Sequence, residues 1–356
     1  LEVKGGEFGG DGGLIETSAY RGLIITPDTQ ISALAPAGKA GTWLIDPIYN
    51  IRIVDGLGVT NNQDAPGFEP NGDDSIIGAT LIVNRLNAGT NVTISTTSAF
   101  GPTIGTGTQA GNISVEGAIQ KTAGGPAKLT LNAVGAVDLQ ASIAGAPLPS
   151  NLSGEINAGA GGDTQNALAV LAAKDLTITT IDGGSVTLNG AVLADTLSVT
   201  IGFNNLPNAL GSVSINNALN EIGTINGIQS MQGITLMDKG NANGLIINGT
   251  ISGGGFLGGS HHDVILRTKG NFTINPSVAA PDRTIFSNAL GDIFIEADNG
   301  FFINNSGYAN VLSPSLGAGG GFAVFSKAST APFNQGDFAL VGSPDPELLN
   351  TLPGAF

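Results

Sequence analysis

Short runs in which apolar residues alternate with Ser, Thr or Asn recur along most of the chain. This repetition constrains the fold more than any other feature. Asn91-Val92-Thr93-Ile94-Ser95, Asn112-Ile113-Ser114-Val115, Lys128-Leu129-Thr130-Leu131, Val186-Thr187-Leu188, Val213-Ser214-Ile215 and Phe272-Thr273-Ile274 are examples. A period of two marks a strand with one buried face, and Val, Ile and Thr suit a pleated surface. A second pattern ends these runs. Val115-Glu116-Gly117-Ala118-Ile119, Leu188-Asn189-Gly190-Ala191-Val192 and Ile247-Asn248-Gly249-Thr250-Ile251 share it: apolar, Asn or Glu, Gly, small, apolar. A strand ends, a turn residue bends the chain, and a new inward residue follows.

Many short strands with tight turns fit either a sandwich or barrel, or a parallel β-helix. The spacing of the runs, near one or two ~10-residue units, favours the β-helix with coils of ~20 residues. Fifteen or so such coils, at ~4.8 Å each, predict a rod of roughly 70 Å. Asn residues near the corners are expected to stack in hydrogen-bonded ladders.

The repeat divides the chain into residues 1–54 (coils), 55–90 (loop and short helix), 91–311 (coils) and 312–356 (a Gly/Pro-rich segment packed on, or extending from, the last coil). Leu57–Asp74 reads as a loop. Ile77–Leu86, closed by Gly89, reads as one helix, and Asp163–Ala173 as a second, weaker one. The sequence begins at Leu1 on a strand-like pattern, so a fragment or processed product of a longer parent is expected.

Composition narrows the function classes. Hydrophobic residues are 41% and charged residues 12%, which argues against disorder. Glycine is frequent, 55 of 356 residues, but has no strict Gly-X-Y period, so the chain is not collagenous. The absence of cysteine removes disulfides, thiolate metal sites and a thiol nucleophile. A formal net charge of −15 makes a poor binder of phosphate backbones, so no nucleic-acid partner is expected.

The junction residues carry a resemblance. Gly12-Gly13-Leu14-Ile15-Glu16-Thr17-Ser18-Ala19, Gly41-Thr42-Trp43-Leu44-Ile45-Asp46-Pro47 and Asn50-Ile51-Arg52-Ile53 are followed by Leu86-Asn87-Ala88-Gly89-Thr90-Asn91-Val92-Thr93-Ile94. Gln109-Ala110-Gly111-Asn112-Ile113-Ser114-Val115, Ile119-Gln120-Lys121-Thr122-Ala123-Gly124-Gly125 and Leu129-Thr130-Leu131-Asn132-Ala133 come next. Over about Gly12–Ile143 the chain resembles two-partner-secretion exoproteins of the filamentous-haemagglutinin type. Gly319–Ser326 is similar to a motif that often follows such repeats, with Phe325 for the usual Tyr. The resemblance implies an all-β fold, a right-handed parallel β-helix, with a surface adhesin, haemolysin or toxin-stalk role outside the bacterial cell. It implies that an outer-membrane transporter exports the full-length parent. Partners would then be a host-cell, bacterial or glycan surface, with end-to-end self-association as a further expectation. The alternatives are a filament subunit and a β-helical polysaccharide hydrolase or lyase.

Candidate chemistry is sparse. His261-His262, with Asp263, Arg267 and Lys269, resembles the basic end of a β-helical pectin hydrolase site, but no cluster of aspartates on facing coils is recognisable. On a strand the two histidines would face opposite ways, and two solvated turn residues are the simpler reading. The Gly/Asp loops at Gly9–Gly13 and Gly159–Asp163 lack the calcium nonamer, and Asn71-Gly72-Asp73-Asp74 lacks the distal Glu of an EF-hand. No Ser/His/Asp triad or phosphate loop is recognisable. Catalytic, cofactor and metal residues are therefore expected to be none. The sequons at Asn91, Asn112, Asn151, Asn248, Asn271 and Asn304 read first as corner residues, and Trp43 as core.

Overall fold

The computed structural model describes residues 1–19, 23, 25, 28–47, 49–57, 75–96, 110–145, 151–159, 161–181, 183–202, 211–240, 243–254, 262–275, 285–287, 291–298, 300–305, 312–313 and 322–326. Within them every pairing between named strands is parallel, and the chain winds as a three-sided β-helix. The first sheet climbs from Leu14–Ala19 through Thr42–Pro47, Asn91–Ser95, Ala127–Asn132 and Leu152–Ala158. It ends at Ile251–Gly253, Ile285–Ser287 and Leu312–Ser313. The second runs from Ser75–Gly78 and Ile51–Val54 to Phe322–Ser326 and has 11 strands. The third begins at Ile119–Lys121 and ends at Phe302–Asn304. Three long strands, Val170–Thr180, Ala191–Ile201 and Glu221–Gln229, turn the corner from the third sheet into the first. They join those two sheets into one hydrogen-bonded network of 16 strands.

The alternation does what the sequence predicts. Ile45, Ile94, Leu131, Ile156, Ile178, Val199, Ile228, Ile251, Ile285 and Leu312 stand in register and are all buried. Each lies ~4.8 Å above the last, so its methyl groups are covered by the same position one coil away. Phe272 and Phe302 continue the pattern in the third sheet, stacked at 5.7 Å. Trp43 is 1% exposed at the base of the core, where its Nε1–H donates to Thr17 Oγ1 at 3.1 Å.

Against the expected fifteen coils, the described residues form eleven levels of the first sheet, about 48 Å along the axis. Loops lengthen the coils: after residue 90, successive partners stand between 21 residues apart (Leu176 and Leu197) and 37 (Val92 and Leu129). The 55–90 segment also contributes structure. Ser75–Gly78 pairs beneath Ile51–Val54, one level down the axis, before the chain turns into the helix α1, Ala79–Asn87. The helix starts two residues later than expected because Ile77 and Gly78 complete that strand. Ala79, Leu81, Ile82 and Leu86 are buried, and the helix packs under Ile119–Lys121, closing the lower end of the third sheet. Gly89 ends it as predicted. Its φ of 83° lets Thr90 N–H reach Arg85 O (3.0 Å) and Gly89 N–H reach Leu86 O (3.0 Å), the paired bonds of a Schellman end.

The second expected helix does not form. Asp163–Gln165 is a strand and Val170–Thr180 another, with Leu168 92% exposed in the turn between. Asn166 makes that turn, accepting Leu168 N–H at its Oδ1 (3.0 Å) and Ala169 N–H at its carbonyl (3.0 Å). Pairing with the coils above and below overrides a weak helical spacing. The loop at 58–74 and the tail at 327–356 lie outside the described residues.

The Asn ladders are also different from expectation. Asn50 Oδ1 accepts Asn112 N–H, Asn112 Oδ1 accepts Ala136 N–H, and Asn91 Oδ1 accepts Lys128 N–H, all at 2.8–2.9 Å. The amide serves the backbone of a neighbouring coil instead of another Asn. Asn275 Nδ2 donating to Asn248 Oδ1 (2.9 Å) is a true side-chain pair. Inward and outward positions should therefore differ sharply in tolerance. Leu188 is fully buried and Thr187 beside it is not. Leu188→Asp should cost at least about 3 kcal/mol by denaturant melting, and Thr187→Ala less than about 0.5.

Candidate functional site

The residues flagged in the sequence separate into two groups. His261 lies outside the described residues. His262 is 3% exposed, not solvated, because the corner it occupies is covered by the next coil: Ser287 Oγ donates to its carbonyl at 3.1 Å. Asp263 Oδ1 accepts Asp292 N–H at 2.9 Å, a coil-to-coil bond like those of the Asn corners. Arg267 and Lys269 lie further on, at the opposite end of the strand Val264–Thr268.

That end forms a cleft across four coils, at the corner between the second and third sheets. Ala218 and Met237 line its apolar side, and Asp238, Thr268, Lys269 and Asp298 its polar side. Arg267 stands between Met237 and Glu296 in register. Its guanidinium lies 5.6 Å from the centre of the Phe294 ring, and its Nε is 3.5 Å from Glu296 Oε2. The sequence showed no carboxylates on facing coils, yet Asp238, Glu296 and Asp298 converge here, each about thirty residues before or after Arg267. The signal was the coil period itself: Asp238, Thr268 and Ala297 are one column, legible only once the register is known.

These groups are largely engaged with one another. Asp238 is 1% exposed and ties three coils together: Ile222 N–H (2.9 Å) and Thr268 Oγ1–H (3.0 Å) both donate to it. Burial pushes its carboxyl up to about 6; the bonds from Ile222, Thr268 and Gly240 pull the other way, and nearby Glu221 adds to the rise. Free space enclosed by the cleft is about 30 Å³, room for two or so waters. Among the described residues no group of three His, Cys, Asp or Glu side chains could hold a metal ion.

The larger feature is the outward face of the first sheet. Thr93, Thr130, Glu155, Thr177 and Ser198 form one column, and Asn132, Asn157, Thr179, Thr200 and Gln229 another. Hydroxyl and amide groups thus repeat every ~4.8 Å over several coils. Lys128 pairs with Glu155 from the adjacent coil, and Thr196 Oγ1 donates to Asp175 at 2.8 Å. Such a face suits many weak polar contacts to a broad surface better than enclosure of a small ligand. Sequon residues Asn91, Asn112, Asn248 and Asn271 are built into the coil-to-coil bonds.

Asp238 gives a test of the corner. Asp238→Ala strands the Ile222 N–H and the Thr268 hydroxyl, and should cost about 1–3 kcal/mol. Because its folded pKa is raised, its share of stability is present below about pH 4 and is lost as pH climbs through about 6. Denaturant melts should therefore show a larger loss for Asp238→Ala at pH 5 than at pH 7.5.

No protein-family model matches the chain, and no curated protein matches it.

Proposed function

We propose that this chain is the non-catalytic rod of a secreted bacterial surface adhesin of the filamentous-haemagglutinin type. The parent would leave the cell through an outer-membrane two-partner transporter, and the rod would hold an attachment surface away from the cell. One observation carries the reading: an uninterrupted stack of coils displays a polar hydroxyl and amide face of constant spacing. The sequence resemblance over Gly12–Ile143 supports the family, and the outward columns support broad contact with a glycan or cell surface.

A specific observation favours a second reading. Arg267, Lys269, Asp238, Glu296 and Asp298 share a cleft, and paired carboxylates are the machinery of glycoside hydrolysis. Two facts weigh against it: Asp238 is committed to backbone and hydroxyl donors, and Glu296 faces Arg267.

The purified chain on a glycan array and on cultured epithelial and bacterial cells separates the two. Saturable attachment is expected, unchanged in Glu296→Gln and weakened when Thr177, Thr179 and Thr200 are replaced together by Glu. Turnover of an acidic polysaccharide that disappears in Glu296→Gln would replace the adhesive reading with the enzymatic one. No attachment to any surface would sink it.

A further inference from the structure

The interior side of the second sheet is mostly apolar; besides Ser75 at its first strand and Asp238 and Thr268 at the corner described above, one coil turns two polar side chains inward together. Ile51, Ile113, Val137, Asp163, Val186, Val213 and Ile234 stand in register. Two residues along, Gln165 interrupts the column of Val115, Leu139, Leu188 and Ile215. Asp163 is 0% exposed, and among the described residues neither carboxyl oxygen has a hydrogen-bond partner. Gln165 is 2% exposed. Its Nε2 donates to Ala169 O at 3.0 Å, while its Oε1 has no partner among the described residues. An ionised Asp163 would put three acceptor atoms and no donor for them into a dry interior. A neutral acid supplies the one donor that is missing.

We propose that Asp163 is held as a neutral acid whose hydroxyl is bonded to Gln165 Oε1, directly or across one water. Loss of its proton then releases the strand Asp163–Gln165 from its neighbours, making the fifth coil a pH-sensitive joint in the rod.

The surroundings act in the same direction. Val137–Leu139 on one side contributes Asp138, whose charge repels an ionised Asp163. Val186–Leu188 on the other side has no ionisable residue. Across the interior, Leu152, Ile156, Leu171, Ala173, Leu176 and Ile178 are buried. The charged groups of those strands, Glu155, Lys174 and Asp175, lie on the outward or exposed positions. Among the described residues no cation faces the carboxyl. Burial first, and Asp138 second, push Asp163 up to about 7. The sign follows: the stability this residue contributes is complete below about pH 4 and is lost as pH rises to about 7. A three-residue strand has few ladder bonds with which to resist.

Hydrogen exchange of the purified chain at pH 5 and pH 8, corrected for the intrinsic rate, tests the joint. The opening equilibrium of the amides at 163–165 should be about a hundredfold larger at pH 8. Asp163→Asn, which is neutral at both, should remove that difference and raise the melting temperature at pH 8. Gln165→Leu, which deletes the acceptor, should shrink the difference by loosening the strand at pH 5. Equal wild-type protection at both pH values overturns the proposal, whether or not Asp163→Asn folds. So does an Asp163→Asn variant that keeps the pH dependence. The experiment depends only on the fold, so its failure leaves the adhesive reading untouched, and the converse holds.

Discussion

Everything in this molecule depends on one constraint: a single coil has no core. Three short strands enclose too little apolar surface to offset the entropy of ordering them, and each inward Ile or Val is covered only when the next coil places its own side chain above. The backbone imposes the same dependence. Parallel strands of one coil satisfy their N–H and C=O groups on the coils above and below, never within the coil. Stability is therefore collective, and an error at one level is felt by its two neighbours. The returning strand Ser75–Gly78 and α1 fit this logic, since they place structure at the lower levels of the second and third sheets.

The corners face a related problem. A chain that turns every few residues exposes backbone donors that no strand can pair. Asn and Asp side chains solve it by reaching one coil along: Asn112 to Ala136, Asn271 to Phe301, Asp263 to Asp292. Where the turn is too tight for any side chain, glycine is required by contact. A Cβ on Gly249 would lie 1.6 Å from Asn226 O, and one on Gly124 1.9 Å from Asn87 O. The frequent Asn and Gly of the sequence are thus two answers to the same geometry, one supplying an acceptor and the other leaving room.

The β-helix was legible because its signal is local. Alternation at Val186-Thr187-Leu188 and the corner at Asn189-Gly190 each read correctly from five residues, and Gly89 as a helix stop from one. What was not legible depends on register. Whether Asn112 meets another Asn or a backbone N–H is decided by the length of the intervening coil. The cleft at Arg267 escaped for the same reason, since its carboxylates belong to coils about thirty residues away in sequence. Asp163 misled in a different manner. An acidic residue in a Gly-rich stretch reads as a solvated loop, but parity along the strand turns it inward, where Val137 and Val186 enclose it.

The same parity separates the part of the chain that holds the rod together from the part that can change. Outward ion pairs such as Arg52 with Glu116 and Lys239 with Glu221 link adjacent coils, yet exposed pairs of this kind are worth less than about 1 kcal/mol. Their loss would leave the buried columns intact. An outward residue can therefore be exchanged for another of different charge or shape with little effect on folding, and a contact surface can diverge over an unchanged core. The interior offers no such freedom, which makes its polar exceptions informative. Asp163 and Gln165 stand together on one three-residue strand, and either of them alone would leave a buried polar group without an answer in the other. Local rules broken in a pair on one strand, as Asp238 and Thr268 break them in a pair across two coils, point to a compensation between the two residues more than to a tolerated defect.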